Sequence, residues 1–203
     1  LGIAGLGTVG AIDGPSRQLA RYVHAVTSAV LPTMRPKLVY RLDRFGRGGD
    51  HRAFNDQGYP AIRITEAFEN FDRQHQNVRV EKGIAYGDVP DKVDFPYAAR
   101  IASINAATLA SLAWAAPGPV GVTLRSAPRA STTVAWQPVA GAAGYLVYWR
   151  DTTEPWWTKS RFVGQETQVT LDGVLIDDHL FGVASVSATG TESVVTFATS
   201  PGR

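Results

Sequence analysis

The chain has 203 residues, 44% of them hydrophobic and 19% charged, which fits one large or two small folded domains and excludes a disordered chain. Lys plus Arg is 20 against 18 Asp plus Glu, a net charge of only +2 that argues against a dedicated nucleic-acid binder. There is no cysteine, which excludes disulfides, a zinc ribbon, an iron–sulfur cluster and a cysteine nucleophile.

No apolar run reaches the roughly 18 residues that a membrane-spanning helix needs. Residues 1–7 (LGIAGLG) contain no initiator Met and no basic region before an apolar stretch, so no signal peptide is visible. The expectation is a processed chain or a fragment.

The clearest boundary is residues 115–119 (AAPGP), where two prolines flank a glycine and neither helix nor sheet continues. Residues 1–116 hold 14 Lys/Arg, 11 Asp/Glu and three of the four His, whereas residues 117–203 hold 6 and 7 and are dense in Val, Thr, Ser and Trp. Two domains are expected, 1–116 and 119–203.

In the first domain, residues 13–16 (DGPS) start a helix with Ser16 as the expected N-cap. Leu19, Tyr22, Val23, Val26 and Val30 recur along it at helical spacing, and Pro32 ends it. Residues 37–42 (KLVYRL) read as a strand, 45–50 (FGRGGD) as a glycine-rich loop, and 51–57 as a short helix closed by Gly58. Residues 60–65 (PAIRIT) form a second strand and 66–93 read mostly as loop. Asp94 caps a long helix with Tyr97, Ile101, Ile104, Leu109 and Leu112 as its stripe. Helices alternating with strands predict an α/β sheet, but two strands are too few to close one. This half reads as the end of a larger domain.

The second domain reads as all-β. Strands are predicted at 120–124, 131–136, 144–150, 160–163, 167–171, 179–187 and 191–199, with Tyr145, Val147 and Trp149 on one face of the third. Seven short strands in about 85 residues, with turns every 8–12, predict a sandwich.

Few side chains point to chemistry. Asp50 and His51 follow the glycine-rich loop and open a helix. Glu66 and Glu69 flank the end of a strand, and His75 follows a few residues on. Imidazoles and carboxylates on loops at strand ends suit a metal site in an α/β fold. They suit equally a hydrogen-bonded, purely structural His–Asp pair, and one His cannot hold a metal without about two more protein ligands. His24 is a helix histidine of the surface or half-buried kind, and His179 a structural one at a strand start. Arg41, Arg44, Arg47 and Arg52 crowd the loop around Gly46, where Asp43 and Asp50 interrupt any nucleic-acid patch. A substrate carboxylate or a local Asp is their better partner. No Gly-x-Ser-x-Gly, His-Glu-x-x-His or Walker loop occurs.

Residues 16–23 (SRQLARYV), 43–54 (DRFGRGGDHRAF), 58–66 (GYPAIRITE), 73–80 (RQHQNVRV) and 87–113 form an ordered series. It resembles the C-terminal half of the di-zinc aminopeptidases of metallopeptidase family twenty-eight, the group related to glutaminyl cyclase and the transferrin-receptor ectodomain. The resemblance covers residues 13–116. It implies an α/β sheet flanked by helices, with two zinc ions at the C-terminal ends of the strands. It also implies a ligand series of His, bridging Asp, Glu, Asp or Glu, and a last His, with a Glu as general base.

On this pattern His75 matches the last His ligand. Asp50 and His51 match a pair beside the metals, in the substrate pocket or behind the ligands. The other ligands and the base have no match in this chain and are expected upstream of Leu1. Some family members place a tyrosine before the Asp–His pair to stabilise the tetrahedral intermediate. Residues 45–49 (FGRGG) stand there instead, which leaves Arg47 as a candidate on charge alone.

Residues 119–203 are similar to fibronectin type III modules, through Trp136, Tyr145, Tyr148 and Leu171, with His179 where a tyrosine is expected at the corner. Together the two resemblances imply an exported, secreted or periplasmic zinc exopeptidase acting on peptides. Here it would be present as a portion that lacks most ligands and is inactive alone. The alternative is a non-catalytic binding module whose Trp149, Trp156 and Trp157 meet a surface polymer such as a polysaccharide. The bland counterpart is that Trp149 is core and the Trp156–Trp157 loop packs over the sandwich edge.

Overall fold

The computed structural model describes residues 2–5, 13–39, 49–66, 68–126 and 130–199. Its first strand is β1 (Gly2–Gly5), followed by helix α1 (Pro15–Val30) and strand β2 (Lys37–Val39). β1 and β2 pair in parallel, with α1 as the crossover that a parallel pair requires. After helix α2 (His51–Asp56), strand β3 (Ile62–Thr65) pairs antiparallel with the other edge of β1. The sheet is therefore three-stranded in the order β2-β1-β3, and the expectation of two strands is corrected. The sequence of β1, GIAG, is half glycine and carries little strand preference of its own. It is a strand because both neighbours pair with it.

Local chemistry sets most helix ends. α1 starts two residues earlier than expected: Gly14 is the cap and Pro15, with its φ already helical, begins the first turn. Ser16 is thus not the N-cap. Its Oγ accepts hydrogen bonds from the Asn55 side chain (3.0 Å) and from Ala61 N (3.2 Å), joining α1 to the ends of α2 and β3. α2 closes on Gly58 at φ +83°, as the sequence predicts. Residues 66–93 are mostly loop, as expected, but not entirely. They contain a hairpin of β4 (Arg79–Glu81) and β5 (Ile84–Tyr86), turned by Lys82 and Gly83 at φ +50° and +80°. Two left-handed residues in a two-residue connection are the hairpin geometry that matches strand twist. Strands of three residues are too short to show an alternation in sequence.

Helix α3 (Phe95–Trp114) starts where expected, with Asp94 Oδ1 accepting from Tyr97 N at 2.9 Å. Ile104 is fully buried, with Tyr97 and Ile101 packed beside it, but Leu109 is 68% exposed. Leu109 is five residues past Ile104, off that face, and Thr108, four past, takes the buried position. The core here is small: Ala20, Val23, Met34 and Ile104, with Leu19, Leu31, Leu38 and Ile62 against them.

The second part is built from β6 (Thr123–Ser126), β7 (Ser131–Ala135), β8 (Ala142–Asp151), β9 (Lys159–Phe162), β10 (Gln168–Asp172), β11 (His179–Ser187) and β12 (Thr196–Phe197). One sheet runs β6-β7-β10 and the other β9-β8-β11-β12, all antiparallel. Seven strands split three and four in this order are the sandwich that the similarity to fibronectin type III modules implies. Trp136, Tyr145, Val147, Leu171, Phe181 and Val183 fill the space between the sheets. The Tyr145 hydroxyl accepts from Val139 N at 2.7 Å, so its one polar atom is satisfied at the edge of the core. Trp149 packs half-buried against this core.

The two parts share a polar contact centred on Asp13. Its Oδ1 lies 2.7 Å from Arg21 Nη1 on α1 and 2.6 Å from Arg150 Nη2 on β8, and all three side chains are less than a tenth exposed. Arg21 Nε also donates to Pro155 O at 2.7 Å, and Arg150 Nη1 donates to Glu154 O. Trp157 lies against both guanidiniums, its ring centroid 5.2 Å from Arg150 and 5.9 Å from Arg21, and its indole N–H donates to Gln18 Oε1 at 3.1 Å. Trp156 stacks on His24 with ring centroids 3.9 Å apart. Tyr22 completes the contact, its hydroxyl 2.6 Å from Ser111 Oγ on α3 and 3.1 Å from Glu192 O of the sandwich.

Both indoles of the Trp156–Trp157 loop are half-buried and engage His24 and Gln18 of α1, where packing over the sandwich edge is the expected alternative. The same contact explains why Arg17, Gln18 and Arg21 are buried along with Ala20 and Val23: α1 is covered by its own sheet on one side and by the sandwich on another. Among the described residues, no helix is long and apolar enough to cross a membrane.

Two outcomes follow from this contact. Removing the carboxylate in Asp13→Ala leaves two buried guanidiniums without their counter-charge, a loss of about 3–5 kcal/mol, and Trp157→Ala should cost about 3 kcal/mol. Urea midpoints of the variants measure both, and a change within experimental error for Asp13→Ala would refute the central role of this contact. The second outcome concerns pH. Burial holds the His24 imidazole below its ordinary 6.5, so the folded chain favours it neutral. As pH falls below 6.5 the unfolded chain takes up its proton first, and stability is lost until folded His24 protonates too. The urea midpoint should drop between pH 7 and 5, and drop less in His24→Phe, which keeps a ring on Trp156.

Candidate functional site

The residues singled out in sequence reach different places. Arg47 lies outside the described residues. Asp50 precedes α2 at the surface, and its side chain makes no cap bond. His51, the first residue of α2, is 7% exposed. A Cβ added at Gly49 would stand 2.8 Å from His51 Nδ1 and 3.0 Å from Arg63 Cδ. The last glycine of the loop is thus required by the close approach of the imidazole and the Arg63 stem. The sequence offers His51 as a pocket residue. In the structure it is buried, with its ring beside Gly49.

His75 is at the surface, at the end of the turn that follows β3. Its φ is +53°, in the left-handed region that costs an L-residue roughly 1–2 kcal/mol. It lines an open cleft of about 460 Å³ together with Glu66, Asn70, Arg73, Gln74, Asp88 and Lys92. Neither Asp50 nor His51 lines this cleft, so the structure does not bring the two histidines into one pocket. Glu66 also acts at a distance on α3: its charge helps push the Tyr97 hydroxyl above its ordinary value, behind the larger effect of burial.

As a metal centre the cleft is incomplete within this chain. It holds one imidazole and two carboxylates, Glu66 and Asp88, yet among the described residues no three His, Cys, Asp or Glu side chains converge closely enough to hold an ion. A zinc site needs about three protein ligands per catalytic ion. Among the described residues the donor set therefore falls short of a zinc site.

The sequence reading passed over a polar cluster between the two histidines. Arg63 and Thr65 on β3 both donate to Glu69 Oε1, at 2.9 and 2.6 Å. Two polar side chains two apart in a predicted strand, with a Glu four residues further on, are the signal that marks it, since alternate residues share a face. His24 and His179 have structural surroundings. His24 stacks on Trp156, and His179 holds Leu175 O (3.0 Å) and Asp151 (3.3 Å) at the start of β11.

No protein-family profile matches the chain. It is 44% identical over 184 residues to a protein of Leptosphaeria maculans named "Probable zinc metalloprotease", covering 89% of this chain and 42% of that protein. A protein of the same name from Pyricularia oryzae is 40% identical over 192 residues, covering 91% of this chain and 38% of its own length. The chain thus spans about two fifths of the curated relatives it matches. Among solved structures, an Fn3-like protein from Clostridium thermocellum is 21% identical over 44% of this chain and 97% of its own, with a TM-score of 0.37. The fn3 domain of human collagen alpha-1(XX) is 22% identical over 44% of this chain and 90% of its own, with a TM-score of 0.35. In sequence, the chain is related to fungal proteins named as zinc metalloproteases across both of its parts.

The backbone at His75 gives a direct check on this turn. His75→Val places a β-branched side chain at positive φ and should cost about 1–2 kcal/mol, whereas His75→Gly should be neutral or slightly stabilising. Equal urea midpoints for the two would mean that the turn does not hold the left-handed conformation.

Proposed function

We propose that this chain is the C-terminal portion of a zinc-dependent exopeptidase of the aminopeptidase type. The observation that supports this best is the extent of the sequence relation. At 44% identity over 89% of the chain, it covers more than either part alone contains, so it is not the likeness of a shared sandwich module. The site lends a second support. His75, the residue that matches the family's last ligand, is presented at the surface of an open polar cleft.

On this reading His75 contributes one neutral imidazole. The remaining ligands and the general-base carboxylate belong to the part of the longer protein that this chain does not contain. Zinc in such a centre supplies Lewis acidity and a water that ionises near neutral pH. What these residues do themselves is narrower. The turn after β3 presents the imidazole, and Glu66, Asp88, Arg73 and Lys92 give the cleft charges of both signs that can meet the polar backbone and terminus of a peptide. The sandwich braces α1 and, through it, the sheet that carries β3. Alone, the chain is proposed to be inactive.

Zinc stoichiometry by elemental analysis, run beside hydrolysis of an aminoacyl-anilide, tests this. The 203-residue chain should hold no zinc after dialysis and show no hydrolysis. A longer protein that includes the upstream half should hold two ions and be active, and His75→Ala in it should remove one ion and most of kcat. Zinc retained by the short chain, or both ions kept by the His75→Ala protein, would overturn the assignment.

A further inference from the structure

Between the end of β3 and the turn that carries His75, the chain is tied back to the strand by one carboxylate. Arg63 Nη2 and Thr65 Oγ1 donate to the same oxygen, Glu69 Oε1, and the Arg63 Nη2–Thr65 Oγ1 distance is 3.0 Å, so the three groups close a triangle. The Glu69 side chain is 7% exposed and that of Arg63 18%. A pair this buried gains little net stability, because desolvation of both charges offsets their attraction. Its stronger effect is geometric, since charge-assisted hydrogen bonds fix direction as well as distance.

The turn starts at the next residue. Asn70 Oδ1 accepts from Asp72 N at 3.1 Å and Asn70 O from Arg73 N at 3.1 Å. Gly87 N, at the end of the hairpin, donates to Asp72 O at 3.0 Å. Gly87 is at φ +113°, and a Cβ there would stand 2.7 Å from Val78 Cα, so the hairpin closes directly on the segment after the turn. His75 then takes its left-handed backbone, a conformation that persists where surrounding structure holds it. On the other side of the cluster, the Arg63 stem and the His51 imidazole crowd the same point beside Gly49. The Arg63 guanidinium thus holds Glu69, while its Cδ and the His51 ring both border Gly49.

We propose that Glu69 is a positioning residue for His75. Its carboxylate, held by Arg63 and Thr65, fixes the turn of residues 70–75 on the end of β3 and keeps the imidazole at the cleft. This rests on the reading of His75 as a functional side chain, but it can fail separately from it.

The test uses the 203-residue chain labelled for NMR, without metal. The His75 amide and 13Cα resonances report its left-handed backbone, and hydrogen exchange at Arg73 and Gly87 reports the turn. Glu69→Ala should move the His75 resonances toward random-coil values and speed exchange at both amides by about tenfold or more, with sandwich amides unchanged. Glu69→Gln, which keeps an acceptor oxygen, should restore the native resonances, and Thr65→Val should shift them part of the way.

Unchanged His75 resonances and exchange in Glu69→Ala would overturn the proposal. If Glu69→Ala unfolds the whole first part, Thr65→Val and Glu69→Gln decide: shifted signals in the first and native ones in the second support it, and silence in both refutes it. His75→Ala zinc content in the longer protein is an independent measurement. Both ions retained there, with the turn still released by Glu69→Ala, would sink the ligand reading and leave the positioning role standing.

Discussion

The Asp13 carboxylate is the constraint on which the arrangement of this chain depends. One oxygen serves two buried guanidiniums, Arg21 from α1 and Arg150 from β8, and the Trp157 indole lies against both cations. A buried carboxylate between two arginines tolerates little movement, because any displacement uncovers charge in a place where water does not reach. The rest of the contact follows from that placement. With Trp157 in position, Trp156 meets His24, Gln18 is engaged, and Tyr22 reaches both Ser111 and Glu192. The sandwich is thereby a fixed wall against α1, not a module swinging on the 115–119 segment.

That wall matters because the first part has little core of its own. Among the described residues, four buried apolar side chains and a three-stranded sheet leave α1 with polar side chains facing away from the sheet. Arg17 turns back to β2 through Val39 O, and Arg21 and Gln18 face the sandwich. The position of β3, and of the turn beyond it, is thus inherited from a stack in which the sandwich supports α1 and α1 supports the sheet.

The cleft at His75 is more open than a finished catalytic centre. On the proposed reading, this exposed imidazole at positive φ, with carboxylates and cations of the same chain around it, would be one wall of a site. Glu69 ties the start of the turn to β3 through Arg63 and Thr65. The chemistry of the wall is thus backed by local contacts that do not depend on a bound ion.

Much of this was legible in the chain itself. The period-two pattern of 131–136, 144–150 and 179–187, with turn residues between, determines a seven-stranded sandwich, because alternation puts Tyr145 and Val147 on one face whatever surrounds them. Asp94 and Gly58 mark helix ends for equally local reasons: a carboxylate that can accept an amide proton, and a residue free to take positive φ. The tertiary structure decided what has no local signature. β1 is a strand only because two neighbours pair with its glycine-rich backbone. Ser16 is drawn from cap to cross-link by Asn55 and Ala61. The Trp156–Trp157 loop is committed to α1 by an arginine pair that sequence cannot connect, since Asp13 and Arg150 stand 137 positions apart. His51 and His75, both candidates by residue type, part company: the first is buried beside Gly49 and the second faces the open cleft. Periodicity and capping act within a turn or a strand, whereas burial and charge pairing are settled only when distant segments meet.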